Sequence, residues 1–479
     1  MKRQRASVLL AVASAALVGC TLGPDFHEPQ TDNPAAWGGE PSDVGSLTYG
    51  GPVDEHWWES FNDPELSSLV DRLSRQNIDL ATALERVRQA QAETDVAAAQ
   101  GLPHLDAQSQ YTRTRLSPNG FISLVEPAPG APLGFNLWEN SLQSSWELDL
   151  FGRVRRAVEA ERANTEAAIE ARHGIALRSI ADLAQDYMEL RGTQAREAIT
   201  QQNLALAAHD LRLVRDQFSN GVATTLDVAN AEAQQATIAA ELPPLRQEAA
   251  SLINAIGFLL AEPPRALESE LTPDRAPPLV PPSVPVGLPS TLLRRRPDVR
   301  EAEARLHAAT AETGVAVASF FPDITLTGHV GLQGLNIGNA FSLPDLETTV
   351  GPSISLPIFE GGQLRGTLRL RRSQQREAAL DYRDTVLAAW QDVDNALTAY
   401  AEAQERHDLV ATAVEKDRNA LSAAQQSYVQ GATDFLNVIS AESALLQSED
   451  DLAQSETEIE TDLVGLYKAL GGGWTITDE

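Results

Sequence analysis

One cysteine in 479 residues excludes a disulfide framework, and any multi-thiolate metal site within a single chain. Aromatic residues are only 5% of the sequence, and Ala, Gln, Glu, Arg and Leu dominate. That mixture belongs to long helices and coiled coils rather than to a row of compact globules, because these residues lose little rotamer freedom in a helix. Cations are scarce, with 37 Lys and Arg against 67 Asp and Glu and a net charge of -30. Clustered positive charge is what displaces counterions from phosphates, so no nucleic-acid partner is expected. The acid reads as a solvated surface or as the lining of a lumen. Eight histidines lie scattered without ligand spacing. There is no His-Glu-x-x-His, no Gly-x-Ser-x-Gly and no phosphate loop, so the expectation is no enzyme, no cofactor and no metal.

What is present begins at the N-terminus. Lys2, Arg3 and Arg5 precede an apolar run from Val8 to Val18, which is too short to span a bilayer and reads as a secretory signal over residues 1–19. The run ends in Leu17, Val18 and Gly19, and the only cysteine, Cys20, follows. This arrangement resembles the bacterial lipobox, in which the cysteine sulfur receives a diacylglycerol and becomes the mature N-terminus. Thr21 stands where that group's inner-membrane retention signal has Asp, so outer-membrane sorting and lipidation of Cys20, with palmitate among the acyl chains, are implied.

Residues 20–55 are rich in Pro, Gly, Asp and Ser with little periodicity and read as a tether. Asp63, Pro64 and Glu65 make a helix start, and Leu66, Leu69, Val70 and Leu73 supply one apolar face. From Arg153 to Phe218 there is no proline, and at about 1.5 Å per residue such a run could make a helix roughly 100 Å long. A second proline-free run extends from Ile358 to the C-terminus. Helices of that length with Ala and Gln at many facing positions suit close packing as coiled-coil partners. Four segments alternate instead, at 104–115, 136–151, 323–334 and 348–359. Each is long enough for a tilted membrane strand, and the loops between the members of each pair, Leu116 to Phe135 and Leu335 to Glu347, are Pro- and Gly-rich. Two membrane hairpins are one reading and two soluble hairpins in a small α+β domain the other.

The strongest signal is a tandem duplication. Phe218, Gly221, Leu226, Val228, Ala231 and Glu232 fall in register with Tyr428, Gly431, Leu436, Val438, Ala441 and Glu442. Upstream, the segments ending in Pro103 and Pro322 precede the hairpins, and Phe151-Gly152 matches the Phe359 to Gly361 segment after them. Each half is therefore helix, β-hairpin, long helix, glycine turn, helix. Gly221 and Gly431 interrupt helical runs where the chain should reverse, so each is expected as a left-handed cap, with the two turns together. In lipid only a closed barrel satisfies every edge N–H and C=O, and four strands are too few to enclose a pore. Three copies would give twelve strands above a continuous helical tunnel.

The combination resembles the TolC-like outer-membrane factor family, in its efflux lipoprotein branch, over nearly the whole mature chain. Further likeness lies in Trp57-Trp58 with Phe61, Asp63, Pro64 and Leu66; in Leu288 to Asp298, which contains Arg294, Arg295 and Arg296; and in Leu466 to Trp474. The arginine run itself reads as the approach to a helix start, with Asp298 near the cap and Glu301 and Glu303 within reach.

The resemblance implies a mainly α fold with a membrane β-barrel part: a homotrimer with a twelve-stranded barrel in the outer membrane and a periplasmic α-helical barrel. It also implies a periplasmic adaptor (membrane fusion protein) and an inner-membrane RND-type transporter as partners, with the chain a passive exit duct for drugs or other small molecules. The implied organisation is a first repeat over 56–262, a Pro-rich connection over 263–297, a second repeat over 298–470 and a tail over 471–479. By position the resemblance places a periplasmic gate at the two turns, with Asp227 keeping the acid of the first repeat. In the second, Leu436 keeps the constricting leucine, Asn437 and Ser440 stand where relatives have acids, and Asp434 offers an acid nearby. Rings of such carboxylates would repel one another and attract cations. A duct for whole proteins in type I secretion, or a structural periplasmic lipoprotein or adaptor, are the competing functions.

Overall fold

The structure is a computed structural model that describes residues 21–29, 47–49, 51, 53–117, 134–273, 278, 280–281, 283–287, 292, 294–339 and 341–473. Cys20 and the signal segment lie outside these residues. The chain divides into two units, formed by the described residues of 1–29, 87–167 and 302–381, and of 30–86, 168–301 and 382–479.

The duplication is visible in element lengths. After α1 (Pro64–Gln76) come α2 (Ile78–Ala99) and, in the second half, α6 (Pro297–Ala318), each of 22 residues. The long helices α3 (Arg153–Ser219) and α7 (Gln363–Val429) have 67 residues each, or about 100 Å at the usual rise. Their return helices α4 (Thr225–Leu259) and α8 (Phe435–Ala469) have 35 each. The remaining pieces are a short helix α5 (Glu268–Leu271) and a small parallel pair, β1 (Leu47–Tyr49) with β4 (Ser283–Pro285).

The first unit is built on one antiparallel sheet in the order β2 (His104–Arg115), β3 (Gly134–Glu147), β5 (Asp323–Gly334), β6 (Leu346–Ser355). Two boundaries correct the expectation. The second strand stops at Glu147 rather than Phe151, because the Asp149 carboxylate turns away to accept the backbone N–H groups of Val154 and Arg155 at the start of α3. Gly152, at φ 81°, completes that turn. The fourth strand starts at Leu346, paired with Leu332, and ends at Ser355 rather than Phe359. Pro357 follows closely and has no N–H to offer a ladder.

Residues 21–29 form no helix or strand and are seated on the same unit. Leu22 donates its N–H to the Phe151 carbonyl. The buried Arg156 side chain donates to the Leu22 carbonyl at 3.1 Å and to the Asp25 carboxylate at 2.6 Å. Phe26 stacks on His307 with centroids 4.5 Å apart. At Gly23 the chain passes so close to Gly314 that a Cβ would lie 2.4 Å from the Gly314 Cα, so only glycine fits.

In the second unit Asp63 caps α1, accepting from the Glu65 and Leu66 N–H groups, and Leu66, Leu69, Val70 and Leu73 are all buried. Trp57 stacks on Tyr467 at 5.1 Å, joining the beginning of the first repeat to the end of the second. Arg296 does not face solvent. It grips Asp298 and, from α7, Asp392 at 2.7 and 2.9 Å, so this cation is an architectural tie. Close helix packing is explicit at Gly192, where a Cβ would fall 2.0 Å from the Thr457 hydroxyl of α8.

Candidate functional site

Two surfaces are the candidates for function, the faces of the sheet and the pair of helix reversals. Strand side chains alternate sides, and the pairing register assigns each to a face; the main exceptions to a sorting into one apolar and one polar face are Phe135 and Leu137 on the polar face and Asn136, Asn140, Arg113 and Arg115 on the apolar one. One face holds Leu105, Tyr111, Trp138, Leu142, Trp146, Leu326, Val330, Leu332, Val350 and Ile354, several of them exposed. The opposite face holds Gln108, Gln110, Gln143, Thr325, Thr327, Gln333 and Ser353, with the acids Asp106, Glu139, Glu147, Asp323 and Glu347. Apolar residues exposed on one side and carboxylates and amides on the other define a wall between lipid and water. Within one chain the outer edges of β2 and β6 pair with nothing among the described residues. No described helix is long and apolar enough to cross a membrane.

The two turns share one backbone solution. At the end of α3, Gly221 at φ 75° donates to the Phe218 carbonyl and Val222 to the Gln217 carbonyl. At the end of α7, Gly431 at φ 71° donates to Tyr428 and Ala432 to Ser427. Both are Schellman closures, which satisfy the last carbonyls of the helix. The turns do lie together. The Tyr428 hydroxyl donates to the Gln217 side chain at 2.5 Å, and a core of Leu211, Val214, Ala231, Phe435 and Val438 joins them.

Side chains then diverge. In the first turn Thr224 caps α4, and Asp227 closes a capping box by accepting from the Thr224 N–H at 2.8 Å and hydroxyl at 2.7 Å. In the second turn Asp434 occupies the cap position without a side-chain bond to the helix. Asn437 donates to the Thr433 hydroxyl, and Ser440 donates to the Leu436 carbonyl. Leu226 and Leu436 are 67% and 59% exposed, matched across the repeat. Sequence reasoning missed Thr224 as the cap and Phe435 as the anchor of the shared core. A Thr followed by Asp three residues on was the available signal for the first. Slightly farther along, the Glu442 carboxyl of α8 is pushed up to about 8, by burial first and then by its hydrogen bond with Asp210 of α3 and that acid's charge.

A sheet with one apolar and one polar face and open edges has the character of a barrel wall, so the fold and surfaces define a component of a membrane channel that also carries long helices. Comparison with known proteins gives the particular family. The outer membrane efflux protein family matches residues 69–261 and again 288–472, once per repeat. Nodulation protein T of Rhizobium leguminosarum bv. viciae is 31% identical over 469 residues, covering 97% of this chain and 93% of that protein. The solvent efflux pump outer membrane protein SrpC of Pseudomonas putida is 30% identical, covering 96% of this chain and 97% of its own length. The solved outer-membrane channel OprN superposes with a TM-score of 0.87 at 35% identity, covering 95% of this chain and all of that one. The chain belongs to the outer membrane efflux protein family and is an outer-membrane channel component of an efflux system. Members of this family form trimers that work with adaptors and inner-membrane transporters, and the relatives are channel and transport proteins.

Proposed function

We propose that three copies of this chain close edge to edge, β6 of one against β2 of the next, into a twelve-stranded barrel continued by the long helices as a periplasmic tunnel. The duct is passive: an inner-membrane RND-type transporter supplies the energy, and a periplasmic adaptor connects it to the helix reversals. Cys20 carries the lipid anchor, and the repeats run over 56–262 and 298–470. The observation that carries this reading is the sheet, with its opposite faces and its two open edges, because in a bilayer unpaired edges are not tolerated. The matched, exposed Leu226 and Leu436 form the constriction, with Asp434, Asn437 and Ser440 around it and Asp227 shaping the turn. The decisive experiment takes Cys20→Ala protein, which has lost any acyl anchor, and measures its solubility without detergent, its mass and its conductance in planar bilayers. A detergent-dependent trimer that conducts is expected. A fully soluble monomer overturns the barrel. Leu436→Ala should raise resting conductance and antibiotic entry, and unchanged values in both would place the gate elsewhere.

A further inference from the structure

The sheet separates its charges by sign. All five acids in its strands, Asp106, Glu139, Glu147, Asp323 and Glu347, lie on the polar face. The opposite face carries no acid, and its only charged residues are Arg113 and Arg115, both exposed. In a chain of net charge -30, two cations on the apolar side of a membrane strand call for an anion. Arginine facing lipid near the bilayer midplane costs about 2–4 kcal/mol and falls to about 0–1 near an interface, so the position along the strand decides what they meet.

Arg113 and Arg115 occupy the loop end of β2, away from the helices that adjoin its other end. They stand eight and ten residues beyond Leu105, roughly 27 and 34 Å along the strand at the usual rise. With a strand tilt of about 40°, they lie roughly 20–26 Å above Leu105, close to the height of the apolar band of such barrels, about 25 Å. Just below them on the same face, Tyr111 and Trp138 pack ring against ring at 4.4 Å, as the aromatic belt at an interface does. Across the ladder Arg113 faces Asn136, and Arg115 faces Gly134, which has no side chain. The helix end of the same face offers Leu105, Trp146, Leu326 and Ile354 and no cation. The second hairpin has none at its loop end either, where Leu332, Leu346 and Thr348 stand.

We propose that Arg113 and Arg115 form a docking site for the phosphates of the glycolipid in the outer leaflet of the outer membrane. Two arginines whose backbone positions are about 7 Å apart along the strand suit a head group with two phosphates better than a phospholipid with one, and arginine forks bind phosphate oxygens bidentately. The site lies only on the loop side, so it distinguishes the leaflets. It rests on the barrel reading above, and conductance in planar bilayers, measured on the same preparation, separates failure of the barrel from failure of the site.

The test uses the full-length protein purified as its trimer and, as probe, bis-phosphorylated lipid A, with dephosphorylated lipid A and phosphatidylglycerol as controls, read by native mass spectrometry. Wild type should bind the phosphorylated probe about tenfold or more tightly than the Arg113→Gln/Arg115→Gln protein, in keeping with the gain per basic residue at a charged lipid surface. The variant should remain a conducting trimer, Arg113→Lys/Arg115→Lys should recover part of the affinity, and dephosphorylated lipid A should not tell wild type from the glutamine variant. Equal binding by wild type and glutamine variant overturns the proposal. So does equal competition by phosphatidylglycerol, which would mean a general anionic-lipid contact. Dissociation of the glutamine variant into monomers also overturns it, since the arginines would then belong to the seam between subunits.

Discussion

The two helix reversals have the same backbone and different chemistry. Each ends a 67-residue helix with a glycine in the left-handed region and starts a 35-residue return helix. In the first, the polar side chains are spent locally, with Thr224 and Asp227 satisfying one another and the helix start. In the second, a phenylalanine stands where the first has Thr225, and it enters the shared core at 4% exposure, while the Asp434 side chain makes no cap bond to the helix. Duplication thus preserved what the backbone requires and released the side chains to divide labour. One turn is self-contained, and the other supplies the anchor and the uncommitted acid.

The division can be broken at its strongest point. Phe435→Ala should destabilise the paired turns by about 3 kcal/mol, as large-to-small changes in packed cores do, whereas Thr225→Ala should be close to neutral. Hydrogen exchange across 211–231 and 421–439 would measure both, and equal effects would erase the asymmetry. The backbone identity is tested next. Gly221→Ala and Gly431→Ala should each cost about 1–2 kcal/mol from the left-handed conformation alone, since an added Cβ meets nothing within 4 Å at either site. Unequal costs from chemical denaturation would show that the two turns are not the same device.

Smaller effects sharpen the contrast. Thr224→Ala should fray the start of α4 by about 1 kcal/mol, and Asp434→Ala should leave the start of α8 unchanged, as seen in exchange rates of the first helical amides. The smallest effect depends on pH. Burial first, then Asp210, holds the Glu442 carboxyl at about 8 in the fold, above its ordinary 4.5. The folded state therefore binds more protons than the unfolded one between those values. The contribution is fully present below about 4.5 and is lost as pH rises towards about 8. Local exchange near Glu442 should accelerate over that window, and Glu442→Gln should abolish the trend. Its counterpart Glu232 is instead paired with Arg215 at 2.7 Å.

Much of the fold was legible because its constraints are periodic. The absence of proline from Arg153 to Phe218, the alternation around Ile324 to Leu332 and the glycines at 221 and 431 each fix backbone geometry, and backbone geometry is what repeats. The misread strand end at Phe151 shows the limit. Asp149 continues an alternating pattern, yet its carboxylate belongs to the N-terminus of the next helix, a competition that periodicity does not register. The same limit applies to the turns. Asp227 was singled out as an acid for the gate, and one of its carboxylate oxygens, Oδ2, also closes the cap on Thr224, a role that spacing from the glycine turn does not register. Phe435 escaped notice because its value lies in contacts with Leu211 and Val214, more than two hundred residues away in sequence. The opposite faces of the sheet became assignable only when the register β2-β3-β5-β6 joined hairpins from both repeats.

The irregular segment at 21–29 bears on the order of assembly. Its seat is composite: Phe151 and Arg156 come from the first repeat, Gly314 and His307 from the second. Nearly three hundred residues must be synthesised and exported before Gly314 exists to receive Gly23, and closing so long a loop comes late in folding. A part of the chain that is made early is therefore among the last to dock. In the interval the leading segment is without its seat, and its seating reports that both repeats have come together.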